Sequence, residues 1–221
     1  MSLKLYFAPG ACSFVPHTLL EATGEPFEPV MVKIHKGENY SPEYKALNPR
    51  SQVPVLVDGA EVITQIVAVV SYLNDRFPQH NFLPHEPLAR ARVLETLAWM
   101  NNTVHPTFTH IFMPHKFTDK PELHADLKAW NTHLFRGMLG ELDALVAAAV
   151  AAGKPWLGGE HFGPLDAYAL TLTRWGGMAG IDPASHPALW RHVQHVAQQP
   201  AAQRAMARER LQLNLYVPPA A

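Results

Sequence analysis

Cys12, the single cysteine of the sequence, carries the side chain best suited to covalent chemistry. Residues 4–7 alternate as a strand, Pro9 and Gly10 interrupt it, and Ser13 is a typical N-cap of the helix that follows. Cys12 is therefore predicted at a strand-to-helix turn, where the positive end of a helix dipole lowers the pKa of a thiol. This pattern predicts an accessible, reactive thiol. The alternative is an inert buried thiol that only fills space.

A second candidate site begins at Val53 and Pro54. Proline cannot donate a ladder hydrogen bond, so Pro54 is predicted at the first position or the edge of the next strand. Residues 58–59 form an Asp-Gly hairpin turn, and the helix that follows has unpartnered first amides near Gln65 and Ile66. These groups predict a small receptor for an anion and a peptide backbone. The alternative is an ordinary hairpin with a proline at its edge.

The thirteen histidines do not have the spacing of a metal site. His105, His110 and His115 recur every five residues, which turns each one by more than a right angle around a helix. His192 and His195 can share a face, but without a cysteine nearby they are predicted to be a solvated surface pair. No metal is expected.

Composition narrows the possible partners. The 221 residues have a net charge of −1, and their charges are spread along the chain, so we expect neither nucleic acid nor a membrane surface as a partner. The longest apolar run, residues 144–152, is too short to span a bilayer, and the N-terminus does not resemble a signal peptide. One cysteine permits no internal disulfide, which fits a reducing compartment such as the cytoplasm.

The first eighty residues predict the element order β-α-β-α-β-β-α. Val30, Val32 and Ile34 share one face of a predicted second strand, and Pro42 opens a short helix. Apolar positions from 67 to 77 recur at helical spacing.

The chain is predicted to divide into two domains. Residues 1–78 form an α/β domain, residues 79–87 form a linker that contains prolines, and residues 88–221 form an all-helical domain. The helices of that domain are predicted at residues 89–104, with a kink at Pro106, and at residues 121–152, 164–175 and 187–198, before a short last helix after Pro200.

Four motifs together resemble the bacterial, cysteine-containing beta class of glutathione transferases. They are residues 9–13 (PGACS), 48–54 (NPRSQVP), 104–108 (VHPTF) and 174–175 (RW). The resemblance spans nearly the whole chain. It implies a thioredoxin-like N-terminal domain, an all-α C-terminal domain, and a homodimer with glutathione bound in the cleft between the domains.

The resemblance also assigns roles to single residues. Cys12 corresponds to a family cysteine that lies close to the sulfur of glutathione and can form a mixed disulfide with it. His105 corresponds to a helix histidine near the thiol, so Cys12 and His105 are the expected catalytic residues. Val53 and Pro54 resemble the family's cis-proline turn, in which the Val53 backbone pairs with the cysteinyl unit. The implied glutathione-binding set is Cys12, His35, Gln52, Val53, Pro54, Gln65, Ile66 and His105.

Three aromatic residues, Tyr6, Phe108 and Trp175, are candidates for the acceptor pocket. Aromatic side chains on helices more often belong to the core, which is the alternative interpretation.

The sequence departs from the family pattern at several positions. Where the family places Ser, Gly or Asn to hold the γ-glutamyl carboxylate, Ile66 has no hydroxyl, and its β-branched side chain is expected to stand where the carboxylate rests. Ala98 and Thr103 replace an asparagine and a glutamate. Gly163 replaces the Ser or Thr of a buried capping box, whose Asp166 is retained.

The sequence is therefore compatible with two functions. One is an enzyme that conjugates glutathione, its co-substrate, to small hydrophobic electrophiles or reduces small disulfides. The other is a binding or regulatory protein of the same fold, in which the glutathione site has decayed.

Overall fold

The computed structural model describes residues 3–219, and all four of the strands in this range lie in its N-terminal part. The sheet has the order β2-β1-β3-β4, with β1 parallel to β2 and antiparallel to β3, and with β3 antiparallel to β4. The strands are β1 (Leu3–Phe7), β2 (Phe27–Met31), β3 (Val55–Asp58) and β4 (Glu61–Thr64), and the helices between and after them are α1 (Phe14–Thr23), α2 (Pro42–Leu47) and α3 (Ile66–Arg76). This order confirms the predicted β-α-β-α-β-β-α pattern.

The alternation in β1 decides what lies on each face of the sheet. Leu3, Leu5 and Phe7 are buried in the main apolar core together with residues of α1 and α3. Tyr6 points the other way and packs with Tyr44 of α2 in a smaller cluster. The end of β1 leads directly into the Cys12 turn, so the sheet fixes where that turn begins.

The second strand is not where the sequence predicted it. Val30, Val32 and Ile34 were expected on one strand face, but β2 ends at Met31 because its parallel register with β1 ends where β1 ends, at Phe7. Val32 still donates to the Phe7 carbonyl over 2.7 Å. Ile34 then begins a short 3₁₀ turn.

The rest of the described chain is helical. The helices are α4 (Pro87–Trp99), α5 (His105–Phe112), α6 (His124–Ala151), α7 (Pro164–Met178), α8 (Pro187–Ala197) and α9 (Pro200–Glu209). The expected helix over residues 89–104 ends instead in a wide π turn, Met100–Val104, directly before α5. Pro106, in the first turn of α5, has no N–H to donate into the preceding turn, and the regular ladder of hydrogen bonds is interrupted there by the π turn. Among residues 3–219, no helix is both long enough and apolar enough to cross a membrane.

Helix α7 is the most buried helix of this half, and a capping aspartate fixes its start. Asp166 accepts a hydrogen bond from the amide of Gly163 over 2.8 Å, which is the half of the capping box that the sequence retains. A Cβ at Gly163 would lie 3.1 Å from the Phe82 carbonyl, so the missing side chain leaves room for that backbone.

His192 and His195 are not the solvated pair that the sequence predicted. His192 is buried, and its Nε2 lies 2.9 Å from Oδ1 of Asp166. His195 is exposed, but its ring stacks on Trp156 at 4.6 Å between centroids. The acidic partner of His192 comes from α7, which spacing within α8 could not reveal.

Candidate functional site

The thiol of Cys12 meets the Val53 loop. Cys12 lies in the turn between β1 and α1 and is only 7% exposed. Its Sγ lies 3.6 Å from the carbonyl oxygen of Val53, within range of a weak S–H···O hydrogen bond. The two motifs that the sequence singled out therefore lie side by side.

The protonation of Cys12 is the opposite of the expected one. Burial raises the pKa of the Cys12 thiol to about 12, and the amides of Cys12 and Ser13 oppose this rise only in part. Ser13 does not cap α1, because its hydroxyl bonds the amide and carbonyl of Ala8. The prediction of a low-pKa, accessible thiol is thus wrong, because desolvation outweighs the helix dipole.

The Val53 loop is held in shape by buried donors from its own neighbourhood. The Val53–Pro54 peptide bond is cis, as the resemblance implies. Tyr44 Oη and Asn48 Nδ2 both donate to the carbonyl of Gln52, over 2.9 and 2.8 Å. The side chain of Gln52 remains exposed and that of Val53 is half-buried. Two side chains from α2 and its C-cap thus fix the backbone beside the thiol.

The start of α3 presents Gln65 and Ile66 differently from the expectation. Gln65 is exposed and has a positive φ of 72°, a conformation that residues other than glycine rarely adopt. The side chain of Ile66 is 2% exposed and belongs to the main core. The expected obstruction by Ile66 is therefore not seen, because its bulk points inward. Its amide still lies at the N-terminal end of an eleven-residue helix.

His35 lies on the exposed 3₁₀ turn Ile34–Lys36. Among the residues that the structure describes, its ring makes no hydrogen bond.

His105 begins α5, directly after the π turn. Its Nδ1 lies 2.9 Å from the hydroxyl of Tyr168, and its ring packs on Trp175 at 4.7 Å between centroids. Burial lowers the pKa of His105 to about 4, and the charge of Lys116 adds to the effect. The imidazole is therefore neutral at neutral pH, and it can donate or accept a hydrogen bond according to its tautomer.

Two of the three predicted acceptor-pocket residues come together. The rings of Phe108 and Trp175 stack at 4.7 Å with 13° between their planes. Trp175 Nε1 donates to the carbonyl of Gly10 over 2.9 Å, which ties this pair to the Cys12 turn. The structure does not bring Tyr6 to them, because the alternation of β1 directs it toward Tyr44 on the other face of the sheet.

Glu209 is a site residue that sequence reasoning missed. Its carboxylate, at the end of α9, accepts from the amide of Gly10 over 2.8 Å and lies 2.7 Å from Nδ1 of His17. Both side chains are fully buried. The contact joins residues 199 positions apart, so no local pattern could have predicted it.

Tyr168 and Asn101 were missed as well. Tyr168 is fully buried on α7, and its hydroxyl lies between His105 and the Asn101 side chain. A tyrosine within an apolar helix gives no local signal of such a contact. In the described part of the chain, no group of three or more His, Cys, Asp or Glu side chains is arranged to hold a metal ion.

The site thus combines a protonated thiol, a neutral imidazole and backbone donors at a loop and a helix start. Such a site can bind a peptide-like anion and place its reactive atom beside Cys12. Phe108 and Trp175 are each only 5% exposed and belong to the main core, as the alternative interpretation of these rings expects, and Phe108 also lines a surface pocket with Phe112.

Comparison with known proteins agrees with this geometry. Residues 1–75 match the family model described as glutathione S-transferase, N-terminal domain. A glutathione S-transferase of Xanthomonas campestris is 30% identical to this chain, over 95% of this chain's length and 100% of the relative's length. The structure is similar to that of a sphingomonad glutathione S-transferase complexed with glutathione, with a TM-score of 0.79 and 31% identity over 95% of this chain and 100% of the other.

A beta-class glutathione S-transferase of Sphingomonas chungbukensis has a similar structure as well. Its TM-score is 0.80, with 28% identity over 93% of this chain and 98% of the other. From the family model, the full-length relative and these structures together, the chain belongs to the glutathione S-transferase family, among its bacterial, beta-class-like members.

Proposed function

We propose that this protein is a glutathione transferase that joins the sulfur of glutathione to small, apolar electrophiles and exchanges disulfides with glutathione at Cys12. The observation that carries the proposal is the 3.6 Å approach of the Cys12 thiol to the Val53 carbonyl. Full-length relatives named glutathione S-transferase support the same activity. They also make a non-catalytic binding role the less favoured alternative.

Glutathione is proposed to lie along the Val53 loop. Among residues 3–219, the amide of Val53 has no hydrogen-bond partner, so it can donate to the cysteinyl unit of the tripeptide as an added strand would. The amides of Gln65 and Ile66 at the start of α3 are the proposed donors to the γ-glutamyl carboxylate. His35 and Gln52, both exposed, are proposed contacts at the edge of the site.

The proposed conjugation uses the thiolate of glutathione as the nucleophile. A sulfur–carbon bond forms to the electrophile, and the leaving group departs with the electron pair of the broken bond. With its pKa near 12, Cys12 remains a thiol at neutral pH and can donate its S–H to that thiolate. His105 is the second proposed catalytic residue, and the stacked Phe108 and Trp175 are the proposed contacts of the acceptor.

In the proposed disulfide exchange, Cys12 attacks oxidised glutathione. A Cys12–glutathione disulfide forms, one molecule of glutathione leaves as a thiol, and the proton of Cys12 is lost to the leaving sulfur. Because the thiolate of Cys12 is scarce at neutral pH, this exchange is expected to be slower than that of an exposed cysteine.

Further features follow from the same proposal. The protein is proposed to be a cytoplasmic homodimer that takes glutathione as co-substrate and needs no metal. The first domain, residues 1–78, supplies the glutathione site, residues 79–87 link the domains, and residues 88–221 supply the acceptor side. Neither nucleic acid nor a membrane is proposed as a partner.

Calorimetry and a conjugation assay with an activated aryl halide test the proposal together. We expect saturable glutathione binding and a conjugation rate well above the uncatalysed one. Cys12→Ala should lower the rate, and the matched control Ala11→Ser in the same turn should not. Binding without turnover would favour the non-catalytic role, and no binding at millimolar glutathione would contradict the proposal.

A further inference from the structure

The hydroxyl of Tyr168 links His105 to the π turn. It lies 2.9 Å from Nδ1 of His105 and 3.4 Å from Oδ1 of Asn101. Tyr168 is fully buried, so water does not compete for this hydroxyl. The hydroxyl has only one hydrogen, so it can donate to only one of these two neighbours. The direction of one hydrogen bond therefore determines the direction of the other.

The Asn101 side chain fixes that direction. Its Nδ2 donates to Oδ1 of Asn102 over 2.8 Å, so its Oδ1 faces Tyr168. An amide oxygen can only accept, and the hydrogen of Tyr168 therefore goes to Asn101. If that hydrogen went to His105 instead, two oxygen lone pairs would face each other with no hydrogen between them.

We infer that Tyr168 and Asn101 hold His105 in the neutral tautomer that carries its hydrogen on Nδ1 and leaves Nε2 bare. The oxygen of Tyr168 accepts the Nδ1 hydrogen, which completes a chain from His105 through Tyr168 to Asn101. This is the opposite of the tautomer that a histidine side chain prefers in water. The hydrogen bond at one ring nitrogen thus sets the chemistry of the other.

The bare Nε2 is available for chemistry. Among residues 3–219, Nε2 of His105 has no hydrogen-bond partner. This atom is not fully enclosed by the protein, so solvent can reach it. The surroundings keep the ring neutral, because burial and the charge of Lys116 both disfavour the imidazolium. Trp175 covers one side of the ring.

The role of this tautomer rests on the proposed function. Nε2 accepts the proton of the glutathione thiol: the S–H bond breaks and an Nε2–H bond forms. The negative thiolate beside the ring raises the pKa of His105 from its low value, so that the thiolate and the imidazolium stabilise each other. Throughout this step, Nδ1 keeps its hydrogen and donates it to the oxygen of Tyr168. Tyr168 and Asn101 are therefore positioning residues, which act on the reaction through His105.

The tautomer can be read directly by NMR on protein with ¹⁵N-labelled histidine rings at pH 7. A ring nitrogen that carries hydrogen resonates far from a bare one, and His105→Gln assigns the signals. We expect a protonated Nδ1 and a bare Nε2. A protonated Nε2 in the parent protein would overturn the inference.

Two variants test the chain of hydrogen bonds. Asn101→Ala removes the acceptor of the Tyr168 hydrogen, which then turns to Nδ1 and moves the ring hydrogen to Nε2. Tyr168→Phe should leave a mixture of both tautomers, and Tyr72→Phe, a tyrosine whose partner is Asp58, serves as the control without effect. Asn101 is half-buried, so its variant keeps the test available if Tyr168→Phe does not fold. A His105 spectrum unchanged in Asn101→Ala would contradict the inference.

Activity separates this inference from the proposed function. Asn101→Ala should bind glutathione normally but lose conjugation rate by on the order of 10²-fold, because Nε2 can no longer accept the proton. The absorbance of the glutathione thiolate bound to Asn101→Ala should also be lower than that of the parent protein. If the parent protein binds no glutathione, the proposed function fails while the NMR result still decides the tautomer. If glutathione binds and Asn101→Ala conjugates at the parent rate, the role in catalysis is wrong.

Discussion

The sulfur of Cys12 lies 3.6 Å from the carbonyl oxygen of Val53, although 41 positions separate the two residues in the chain. A buried thiol that donates to a carbonyl is held as a thiol, because ionisation would place a negative charge beside the negative end of that carbonyl dipole. Burial, the largest cause of the raised pKa, acts in the same direction. The site is thus arranged around a neutral Cys12.

The first prediction concerns the alkylation of Cys12. Only the thiolate reacts, and the pKa is raised to about 12, so the rate should be very low at pH 7 and rise about tenfold for each pH unit through pH 10. Iodoacetamide kinetics followed by intact mass measure it, with free glutathione as the reference thiol. A rate that levels off near pH 8.5, the ordinary range of cysteine, would show that Cys12 is not desolvated.

A second prediction follows from the lowered pKa of His105. Its folded-state pKa of about 4 lies below the unfolded value, so the stability it contributes is complete above pH 6.5 and is lost as the pH falls toward 4. Melting temperatures of the parent protein and of His105→Gln between pH 7 and pH 4 measure this. The parent should lose more stability over that range, and parallel curves would count against the assignment. His186, whose pKa burial also lowers, is present in both proteins and cancels.

A third prediction corrects the expected role of Ile66. The side chain is buried in the core, so Ile66→Ser should destabilise the fold by about 2–5 kcal/mol and should not tighten glutathione binding. Ile66→Val, the matched control, should cost about 0.5–1.5 kcal/mol. Denaturant unfolding and calorimetry give both quantities. A clear gain of glutathione affinity in Ile66→Ser would show that the Ile66 side chain does stand where the γ-glutamyl carboxylate rests.

A fourth prediction concerns the two donors that hold the Gln52 carbonyl. Asn48 is 1% exposed, and its Oδ1 also accepts from the amide of Arg50 over 3.1 Å. Asn48→Ala removes both contacts and should cost about 1–3 kcal/mol, while Tyr44→Phe leaves the Asn48 donor in place and should cost about 0.5–1.5 kcal/mol. Urea unfolding compares them. A larger loss in the free energy of unfolding for Tyr44→Phe than for Asn48→Ala would contradict this prediction.

Much of the fold could be predicted from local sequence signals. The alternation of β1, the Asp-Gly turn before β4 and the prolines that open most later helices lie within a few residues of what they determine. The end of β2 could not be predicted, because its pairing with β1 sets it.

The candidate site could be predicted less well, because its properties arise from contacts between distant segments. Spacing placed Cys12 at a turn, but its pKa depends on burial by elements that come together only in the fold. Glu209 and Tyr168 reach the site from α9 and α7, far along the chain. The wrong placement of Tyr6 in the acceptor pocket, by contrast, could have been avoided from the sequence. The alternation of β1 already puts Tyr6 on the face opposite Leu5 and Phe7.

The central claim is that glutathione binds along the Val53 loop and the start of α3. Amide shifts of ¹⁵N-labelled protein during a titration with glutathione test it most directly. The account predicts saturable shifts that are largest at the amides of Val53, Gln65 and Ile66, and smaller shifts in the distant helix α8. Shifts that do not saturate at millimolar glutathione, or that cluster away from these amides, would contradict it.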